Sequence, residues 1–431
     1  MRRMLLFGGI VLSSFFLFAC FERDDGRTED GRIKVVFWHA MVGKLALPLE
    51  QLIKKFNQTH PKIFVKGVSM GNYETLTKKL LASIIARTYP DISQNFEPLT
   101  RMFMQANKII PLDSFLIEDG ELDPFKKDLV PALLANNTYD GKLWSMPFNK
   151  SLSVIYYNKE HFRLAGLNPD KPPATWKEFK IYAQRLDGFQ KKRDAEFYGT
   201  GATKRSAWLL ESMIFQQGGK LIDKDKKKTL FDSKETLDSL LFLHDLRCNG
   251  LLRVTKGYDF QSDFVTQKNS MIIASIVSRA FMESKISFNF GVAPLPYFKK
   301  PASVLSGTNL NIFKRTDKKR MRATWEFLKW FTGSEQTAYW SIHTTYMPVR
   351  RSAINGRLMQ TEFKQDNNTK AAIMQLDYAT QEPRITEWFE IRQILDTMVE
   401  NILSLEIKDP QKVKDIIRRA NIETTVILRD S

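Results

Sequence analysis

The side chains that most often carry catalysis are few and dispersed in this sequence. The five histidines stand at positions 39, 60, 161, 244 and 343, and no nucleophile–base or zinc-binding pattern includes them. The carboxylates Asp24, Asp25, Glu118 and Asp119 fall in predicted loops and form no evident general acid–base pair. Phosphate-binding glycine loops and cysteine clusters are also absent from the sequence. We therefore expect no enzymatic activity, no cofactor and no metal.

One side chain is predicted to undergo covalent modification. Two arginines precede an apolar stretch over residues 4–18, which ends at Cys20, as a signal peptide does. The segment LFAC (17–20) resembles a lipobox, the signal for cleavage before a cysteine that then carries lipid. We predict a signal peptide over 1–19, lipidation of Cys20 and a charged, flexible tether over 20–31. An uncleaved membrane anchor is the alternative interpretation.

The composition indicates a globular, exported body with two domains. The chain has 431 residues, too many for one ordinary core, and 43% of them are hydrophobic. If Cys20 carries lipid, Cys248 has no partner for an intramolecular disulfide. No other stretch is long and apolar enough to span a membrane. We expect a soluble body anchored at a periplasmic or cell-surface membrane face.

The net charge of +17 narrows the choice of partner. Such an excess of positive charge favours binding to nucleic acid, to an anionic membrane or to an anionic ligand. Export argues against nucleic acid. Lysines scattered over the surface would give the same excess, so the charge supports an anionic ligand without establishing one.

The first hundred residues alternate between predicted strands and helices. Strands are expected over 33–38, 63–68 and 91–95. Between them, apolar residues recur at three- and four-residue steps over 45–56, and a second helix is expected over 74–86. This order is typical of a parallel sheet with crossover helices.

Later segments mix the same two kinds of element. A capping box formed by Thr175 and Glu178 predicts a helix start. Further helices are expected over 234–249, 259–267, 320–332 and 392–405, and strands over 271–275 and 291–296. With no internal repeat, this order favours an α/β protein with two lobes, between which the chain crosses more than once.

Nine short segments are similar, in order, to those of one protein family. The chain resembles the extracellular solute-binding proteins of ABC importers, and most closely the members that bind glycerol 3-phosphate. The resemblance covers nearly the whole mature chain. The segments are FWHAMVG (37–43), GNYE (71–74), PFNKSLSVIYYNK (147–159), PPATW (172–176), MIIAS (271–275), FGVAPLPY (290–297), SGTNL (306–310), YMPVR (346–350) and EIRQILD (390–396).

The resemblance implies the two-lobed α/β fold of periplasmic binding proteins, with a hinge and a ligand cleft between the lobes. It also implies a monomer that delivers sn-glycerol 3-phosphate or a glycerophosphodiester to the permease and ATPase subunits of an importer. One lobe is predicted to comprise residues 32–146 and 279–338, and the other residues 147–278 and 339–431.

The resemblance further implies eight ligand-binding residues, each of the type that the family uses at the matching position. They are Tyr73, Glu97, Ser151, Trp176, Ser275, Gly307, Tyr346 and Arg392. The neighbouring Lys150 departs from the small residue of the related proteins, so the rim of the site is expected to differ there.

The eight residue types suit a phosphorylated polyol. Arg392 offers a bidentate, charge-assisted fork to phosphate, and Gly307 lets its backbone N–H approach a ligand closely. Glu97 would repel phosphate, but its carboxylate would accept hydrogen bonds from glycerol hydroxyls. Trp176 would offer an apolar face, and the tyrosines rigid walls. We therefore expect Arg392 and Ser275 at the phosphate and Glu97 at the glycerol.

Several alternatives stay open. Arg392 would also pair with acidic residues of its own helix, Glu97 would also cap a helix, and Trp176 would also serve as packing. An oligosaccharide binder of the same fold is a second function, and an adhesin or structural lipoprotein with an unused pocket is a third. The monoester and the diester both stay possible, although the size of Trp176 favours the smaller monoester.

Overall fold

A computed structural model describes residues 26–190 and 197–429 of the chain. The predicted signal peptide (1–19), Cys20 and the first half of the tether lie outside the described residues. Gly26 to Gly31 form turns that lead into the first strand, and Lys34 N donates to Gly26 O at 2.8 Å.

The strands within the described ranges are β1 (Ile33–His39), β2 (Ile63–Ser69), β3 (Ile92–Asn95), β4 (Thr138–Tyr139), β5 (Lys142–Leu143), β6 (Met146–Ser151), β7 (Ser153–Asn158), β8 (Tyr198–Thr203), β9 (Leu252–Thr255), β10 (Asn269–Ser275), β11 (Phe290–Pro294), β12 (Ser303–Ile312) and β13 (Ala379–Gln381). The predicted strands near residues 33, 63, 91, 271 and 291 are confirmed.

The helices within the described ranges are α1 (Ala46–Thr59), α2 (Tyr73–Ala86), α3 (Glu97–Gln105), α4 (Asp113–Glu118), α5 (Leu122–Asp128), α6 (Pro131–Asn137), α7 (Lys159–Leu164), α8 (Trp176–Gln190), α9 (Ala207–Gln217), α10 (Lys234–Cys248), α11 (Asp259–Val265), α12 (Ser278–Met282), α13 (Lys318–Phe331), α14 (Ser334–Thr344), α15 (Arg351–Asn355), α16 (Arg357–Gln365), α17 (Asn367–Ile373), α18 (Trp388–Leu403) and α19 (Pro410–Arg429). Short 3₁₀ helices cover Gly43–Leu45, Glu283–Lys285 and Met374–Tyr378. The predicted helices are confirmed to within a few residues at their ends.

The first sheet has the strand order β13–β12–β3–β1–β2, and β6 also pairs with β12. Strand β1 is parallel to β2 and to β3, and the helices α1 and α2 make the crossovers that parallel neighbours need. Strand β12 is antiparallel to β3 and β6 but parallel to β13. Because β12 is ten residues long, it contacts three neighbours along its length.

The second sheet has the strand order β11–β7–β10–β8–β9. Strands β8, β9 and β10 are parallel, whereas β7 is antiparallel to β10 and β11. Strand β7 follows β6 after a single residue, Leu152. The chain therefore passes directly from the first sheet into the second at this point.

The two sheets form the centres of two lobes. Helices α1, α2 and α13 pack on the first sheet, and α8, α11 and α17 pack on the second. Helix α9 contacts β12 of the first sheet as well as α10 and α18 of the second lobe, so it lies where the lobes meet. One hydrophobic core surrounds the first sheet and reaches the inner face of the second, and another fills the outer part of the second lobe.

The lobe boundaries given by the sequence stay a prediction. Sheet membership differs from them at three strands. Strand β11 lies within 279–338 but pairs with β7 of the second sheet. Most of β6 lies within 147–278 and β13 lies within 339–431, but both pair with β12 of the first sheet. Of the candidate binding residues, Ser151 lies on such a strand, at the end of β6.

Local sequence signals set the helix starts near the site. Asn72 accepts a hydrogen bond from Thr75 N at 2.8 Å and caps α2. The predicted capping box is confirmed, because Thr175 Oγ1 accepts from Glu178 N at 3.2 Å while Glu178 Oε2 accepts from Thr175 N at 3.1 Å. Among the described residues, the helices are all too short or too polar to cross a bilayer.

Candidate functional site

Two predicted tyrosines meet beside β6. The Tyr73 and Tyr346 hydroxyl oxygens are 2.9 Å apart, and Asn149 Nδ2 donates to the Tyr73 hydroxyl at 3.3 Å. The left-handed backbone of Thr345 ends α14 and turns the chain into Tyr346. Burial raises the pKa of both phenols. Both tyrosines are therefore neutral at physiological pH, and their hydroxyls can donate and accept hydrogen bonds. We call Tyr73, Asn149 and Tyr346 the tyrosine group.

The predicted Gly307 lies on β12 directly against β6. It pairs with Lys150 in the antiparallel register, and the register shifts between Gly307 and Asn309. Its φ is +123°, a value that side chains rarely adopt. A Cβ atom at this position would lie 1.6 Å from the Asn149 carbonyl oxygen. Only glycine allows the two strands to approach this closely.

The predicted serines join the two sheets. Ser151 ends β6 of the first sheet and Ser275 ends β10 of the second, and their Oγ atoms are 2.5 Å apart. Ser275 Oγ also accepts a hydrogen bond from Val277 N at 3.2 Å. Both hydroxyls thus stand at the junction of the lobes.

Glu97 lies on the opposite side of β6 and is ion-paired with Lys150. The Lys150 side chain is fully buried, and its Nζ also donates to Asn136 Oδ1 at 2.9 Å. Glu97 was expected to be free to accept hydrogen bonds from ligand hydroxyls. One of its carboxylate oxygens is instead already bound to the Lys150 ammonium group. The sequence indicated that Lys150 departs from related proteins, but it did not indicate that the lysine pairs with Glu97.

Arg392, the predicted phosphate-binding residue, is ion-paired with Glu382. Its Nη1 lies 3.1 Å from Glu382 Oε1. The acidic residues of its own helix are not its closest partners, and one of them, Asp396, accepts a hydrogen bond from Ala207 N instead. Desolvation alone would lower the pKa of Arg392, but the carboxylates of Glu382 and Glu211 raise it above the ordinary arginine value.

Glu211 is a buried carboxyl group that was not among the residues predicted from the sequence. It lies on α9 with no exposed surface. Burial, and then the neighbouring Glu382 carboxylate, raise its pKa well above that of an ordinary glutamate. Burial raises the pKa of Glu382 as well. Burial beside a second carboxyl group therefore favours the protonated, neutral form of Glu211.

We call Glu97, Lys150, Glu211, Glu382 and Arg392 the ionic cluster. With Glu211 protonated, its two cations and two carboxylates balance. The cluster is therefore close to neutral as a whole, although each of its two cations lies within ion-pair distance of a carboxylate.

Trp176 is the one predicted residue that the structure does not bring to the cleft. Its indole is fully buried in the outer core of the second lobe, where Nε1 donates to Gln216 Oε1 at 2.7 Å. Phe179, Phe242 and Phe298 pack around its rings. No face of the indole is left for a ligand. Trp176 therefore serves as packing, which was the alternative role considered for it.

Another tryptophan lies nearer the ionic cluster. Trp208 is half-buried on α9, one turn before Glu211, so the two side chains share a helix face. Its Nε1 donates to Val304 O of β12. One feature of the sequence could have identified Glu211 as a site residue. It is an acidic residue within the apolar run AWLLESMIF, and an acid inside a buried helix needs a functional or ionic explanation.

Among the described residues, no group of three or more His, Cys, Asp or Glu side chains is arranged to hold a metal ion. The site therefore consists of hydroxyl, amide, carboxyl and cationic groups held between two lobes. Such a set is suited to binding a small polar molecule by many directed hydrogen bonds.

The family model and the similar proteins both identify solute-binding proteins. Residues 51–392 match the family model described as bacterial extracellular solute-binding protein. The sn-glycerol-3-phosphate-binding periplasmic protein UgpB of Salmonella typhimurium is 27% identical over 402 residues, which cover 88% of this chain and 90% of that protein.

Solved structures share the fold. UgpB from Mycobacterium tuberculosis in complex with glycerophosphocholine is 25% identical, with a TM-score of 0.82, and the match covers 93% of this chain and 99% of that one. The cyclic α-maltosyl-1,6-maltose-binding protein from Arthrobacter globiformis is 22% identical, with a TM-score of 0.80, and the match covers 93% and 100%. The predicted two-lobed fold with an interlobe cleft is confirmed.

Replacing Gly307 by alanine tests the strand contact at the centre of the site. We expect Gly307→Ala to lower the free energy of unfolding by at least about 1–3 kcal/mol, because the added Cβ strains the backbone and collides with the Asn149 carbonyl. Urea unfolding measures the change. Gly188→Ala, at an exposed helical position with no atom within 4 Å of the new Cβ, should leave stability unchanged or raise it. Equal effects of the two substitutions would contradict the contact.

The buried proton of Glu211 predicts a pH dependence. The folded protein holds this proton at pH values where the unfolded chain has released it, so stability is lost as pH rises above about 4.3. Glu211→Gln mimics the protonated form and should become more stable relative to the unsubstituted protein between about pH 5 and about pH 8. Denaturation midpoints at both pH values measure this difference, with the exposed Glu335→Gln as a charge control. A difference that does not change with pH would show that Glu211 is not protonated in the folded state.

Proposed function

The chain belongs to the bacterial extracellular solute-binding protein family, and we propose that the solute it captures is a phosphorylated glycerol. Proteins of this family are the solute-binding components of ABC importers, so the partners are the membrane permease and its ATPase. The ligand is sn-glycerol 3-phosphate or a glycerophosphodiester, bound between the lobes. The similarity to the Salmonella protein over 88% of the chain supports this choice.

The placement of Arg392 is the observation that carries the proposal. Its guanidinium group stands at the junction of the lobes, where one carboxylate, Glu382, balances it and a second carboxyl group, Glu211, holds a proton. A phosphate group offers non-bridging oxygens to the same fork, three in a monoester and two in a diester, and forms a stronger bidentate contact than a single carboxylate oxygen does. The phosphate therefore replaces Glu382 at Arg392.

The tyrosine group and the serines would complete the phosphate site. The two phenols are neutral donors, and their mutual hydrogen bond can be exchanged for bonds to phosphate oxygens. The Ser151 and Ser275 hydroxyls can exchange their mutual contact in the same way. Because each pair forms its own hydrogen bond without ligand, these four hydroxyl groups are not left unpaired before the ligand binds.

The glycerol end of the ligand would lie near Glu97. Lys150 binds one oxygen of this carboxylate, so the ligand hydroxyls would meet the other. A carboxylate fixed by a buried lysine is oriented in advance, which favours binding because little side-chain entropy is lost. Lys150 would then act by positioning Glu97 and not by contacting phosphate.

Arg392→Gln tests the phosphate contact. We expect the affinity for sn-glycerol 3-phosphate to fall about 100-fold, or about 2.7 kcal/mol, because a charge-assisted bidentate contact is lost. Isothermal titration calorimetry with sn-glycerol 3-phosphate, glycerophosphocholine, maltose and glycerol measures the binding. The control Arg419→Gln removes an exposed arginine on α19 and should change affinity less than about twofold.

Three outcomes of this titration would contradict the proposal. Maltose binding without binding of either phosphate compound would favour an oligosaccharide ligand. Phosphate binding that is equally weakened by both arginine substitutions would indicate a general effect of surface charge. No binding of any solute, before or after substitution, would favour an adhesin or a structural lipoprotein.

An oligosaccharide is the second candidate ligand, and one observation favours it. Both cations of the ionic cluster already have carboxylate partners, and carboxylates are good acceptors for sugar hydroxyls. Trp208 could supply the apolar face that a sugar ring needs. The Arthrobacter sugar-binding protein shares the fold alone, so it does not decide between the ligands.

We also propose that Cys20 carries the lipid that anchors the protein to a membrane. Cys20→Ser should move the protein from the membrane fraction into the aqueous phase of a detergent partition, because acyl chains supply the membrane affinity. Cys248→Ser, which changes the half-buried second cysteine, should leave the protein in the membrane fraction. Retention of Cys20→Ser in the membrane would favour an uncleaved apolar anchor.

A further inference from the structure

A second pocket borders the ionic cluster, and Glu382 of the cluster lines it. It has a volume of about 410 Å³ and lies between the lobes, a size that accommodates a small ligand group. The end of α3 and the β4–β5 hairpin form its first wall. The end of α9 and the loop after it form the second wall, and residues 381–384 form its base. We call it the outer pocket.

Positive charge dominates the outer pocket. Four of its side chains are cationic, namely Arg101, Lys220, Lys226 and Arg384, whereas the acidic ones are Asp140 and Glu382. Glu382 is already paired with Arg392. Among the described residues, Arg101, Lys220 and Lys226 form no ion pair within 4 Å. The excess positive charge is therefore available to a ligand.

One of these cations is held rigidly in place. Arg384 Nη1 donates to the carbonyl oxygens of Ala135 and Thr138, and its guanidinium carbon lies 5.2 Å from the centre of the Tyr139 ring. The carbonyls belong to the first lobe, whereas Arg384 follows β13. This contact fixes the base of the pocket, so the charge there does not depend on a freely moving side chain.

The outer pocket is continuous with the candidate site. Glu382 lines the pocket and its carboxylate also contacts Arg392. Arg101 lies one helical turn after Glu97 on α3, which places both side chains on one face. Tyr139 lines the pocket, and its hydroxyl donates to Glu97 O at 3.3 Å. A ligand bound at Arg392 would therefore extend past Glu382 into this space.

We propose that the outer pocket binds the headgroup of a glycerophosphodiester, and that this headgroup is anionic. The inference rests on the proposed function, because the phosphodiester itself would occupy Arg392. A terminal phosphate or carboxylate on the headgroup gains charge-assisted hydrogen bonds from Arg101 and Lys220. A quaternary ammonium headgroup meets repulsion instead. The protein therefore selects anionic over cationic diesters.

Ligands that differ only in headgroup charge test the proposal on the full chain. The probes are sn-glycerol 3-phosphate, glycerophosphoglycerol with its uncharged headgroup, the same diester bearing a terminal phosphate, and glycerophosphocholine. We expect the terminally phosphorylated diester to bind about tenfold tighter than glycerophosphoglycerol, as one added charge-assisted contact allows. Glycerophosphocholine should bind more weakly than glycerophosphoglycerol.

A matched pair of double variants separates the pocket from the general positive field. Arg101→Gln with Lys220→Gln removes two pocket charges, and Arg419→Gln with Lys414→Gln removes two exposed charges of α19. Net charge changes equally in the two proteins. The first variant should lose the tenfold preference for the terminal phosphate, whereas the second should retain it at about 0.15 M salt, where distant charges are screened.

The outcomes distinguish the two proposals. If no phosphoglycerol compound binds the unsubstituted protein, the proposed function fails. If sn-glycerol 3-phosphate binds but the headgroups are not discriminated, or if the two double variants lose the preference equally, only the outer pocket is refuted. Tighter binding of glycerophosphocholine than of the phosphorylated diester would also refute it.

Discussion

The cleft depends on the close backbone contact between β6 and β12 at Gly307. Since no side chain separates the strands there, the Asn149 carbonyl and the Lys150 backbone pack directly against β12. Successive residues of a strand point to opposite faces, so Asn149 and Ser151 face the tyrosine group and the second sheet, whereas Lys150 faces Glu97. One strand pairing thus positions the polar groups on both sides of the candidate site.

The same geometry requires a buried cation to be neutralised. Lys150 is fully buried, and an unpaired charge at that depth would cost several kcal/mol. Glu97 provides the counter-charge, and Glu382 does the same for Arg392. Glu211 has no cation to itself, and its burial raises its pKa, which favours the neutral form. The pairings explain how a cleft rich in charged groups can lie next to two hydrophobic cores without destabilising them.

The sequence predicted the strands and helices and supplied the candidate site residues as a prediction, but it did not show how their charges pair. Hydrophobic periodicity and capping residues are local, and they placed β1, α2 and the start of α8 correctly. Lys150 and Glu97 are distant in sequence, as are Arg392 and Glu211, and only the folded chain brings them together. Glu382 lies in a connecting segment with no pattern of its own. Trp176 was selected through the resemblance to the family, at the position after a proline-rich turn, but the outer core of the second lobe buries it.

Charge placement, and not net charge, distinguishes possible ligands of this cleft. The +17 of the whole chain attracts any anion at long range, but salt screens that field beyond about 8 Å. The ionic cluster is nearly neutral, so it can recognise a phosphate only by exchanging one partner of Arg392 for another. The outer pocket keeps positive charge that no carboxylate of the described residues neutralises. Under the proposed function, discrimination among phosphorylated glycerols comes from the part of the ligand that extends beyond Glu382. A ligand without such an extension would leave that charge unused.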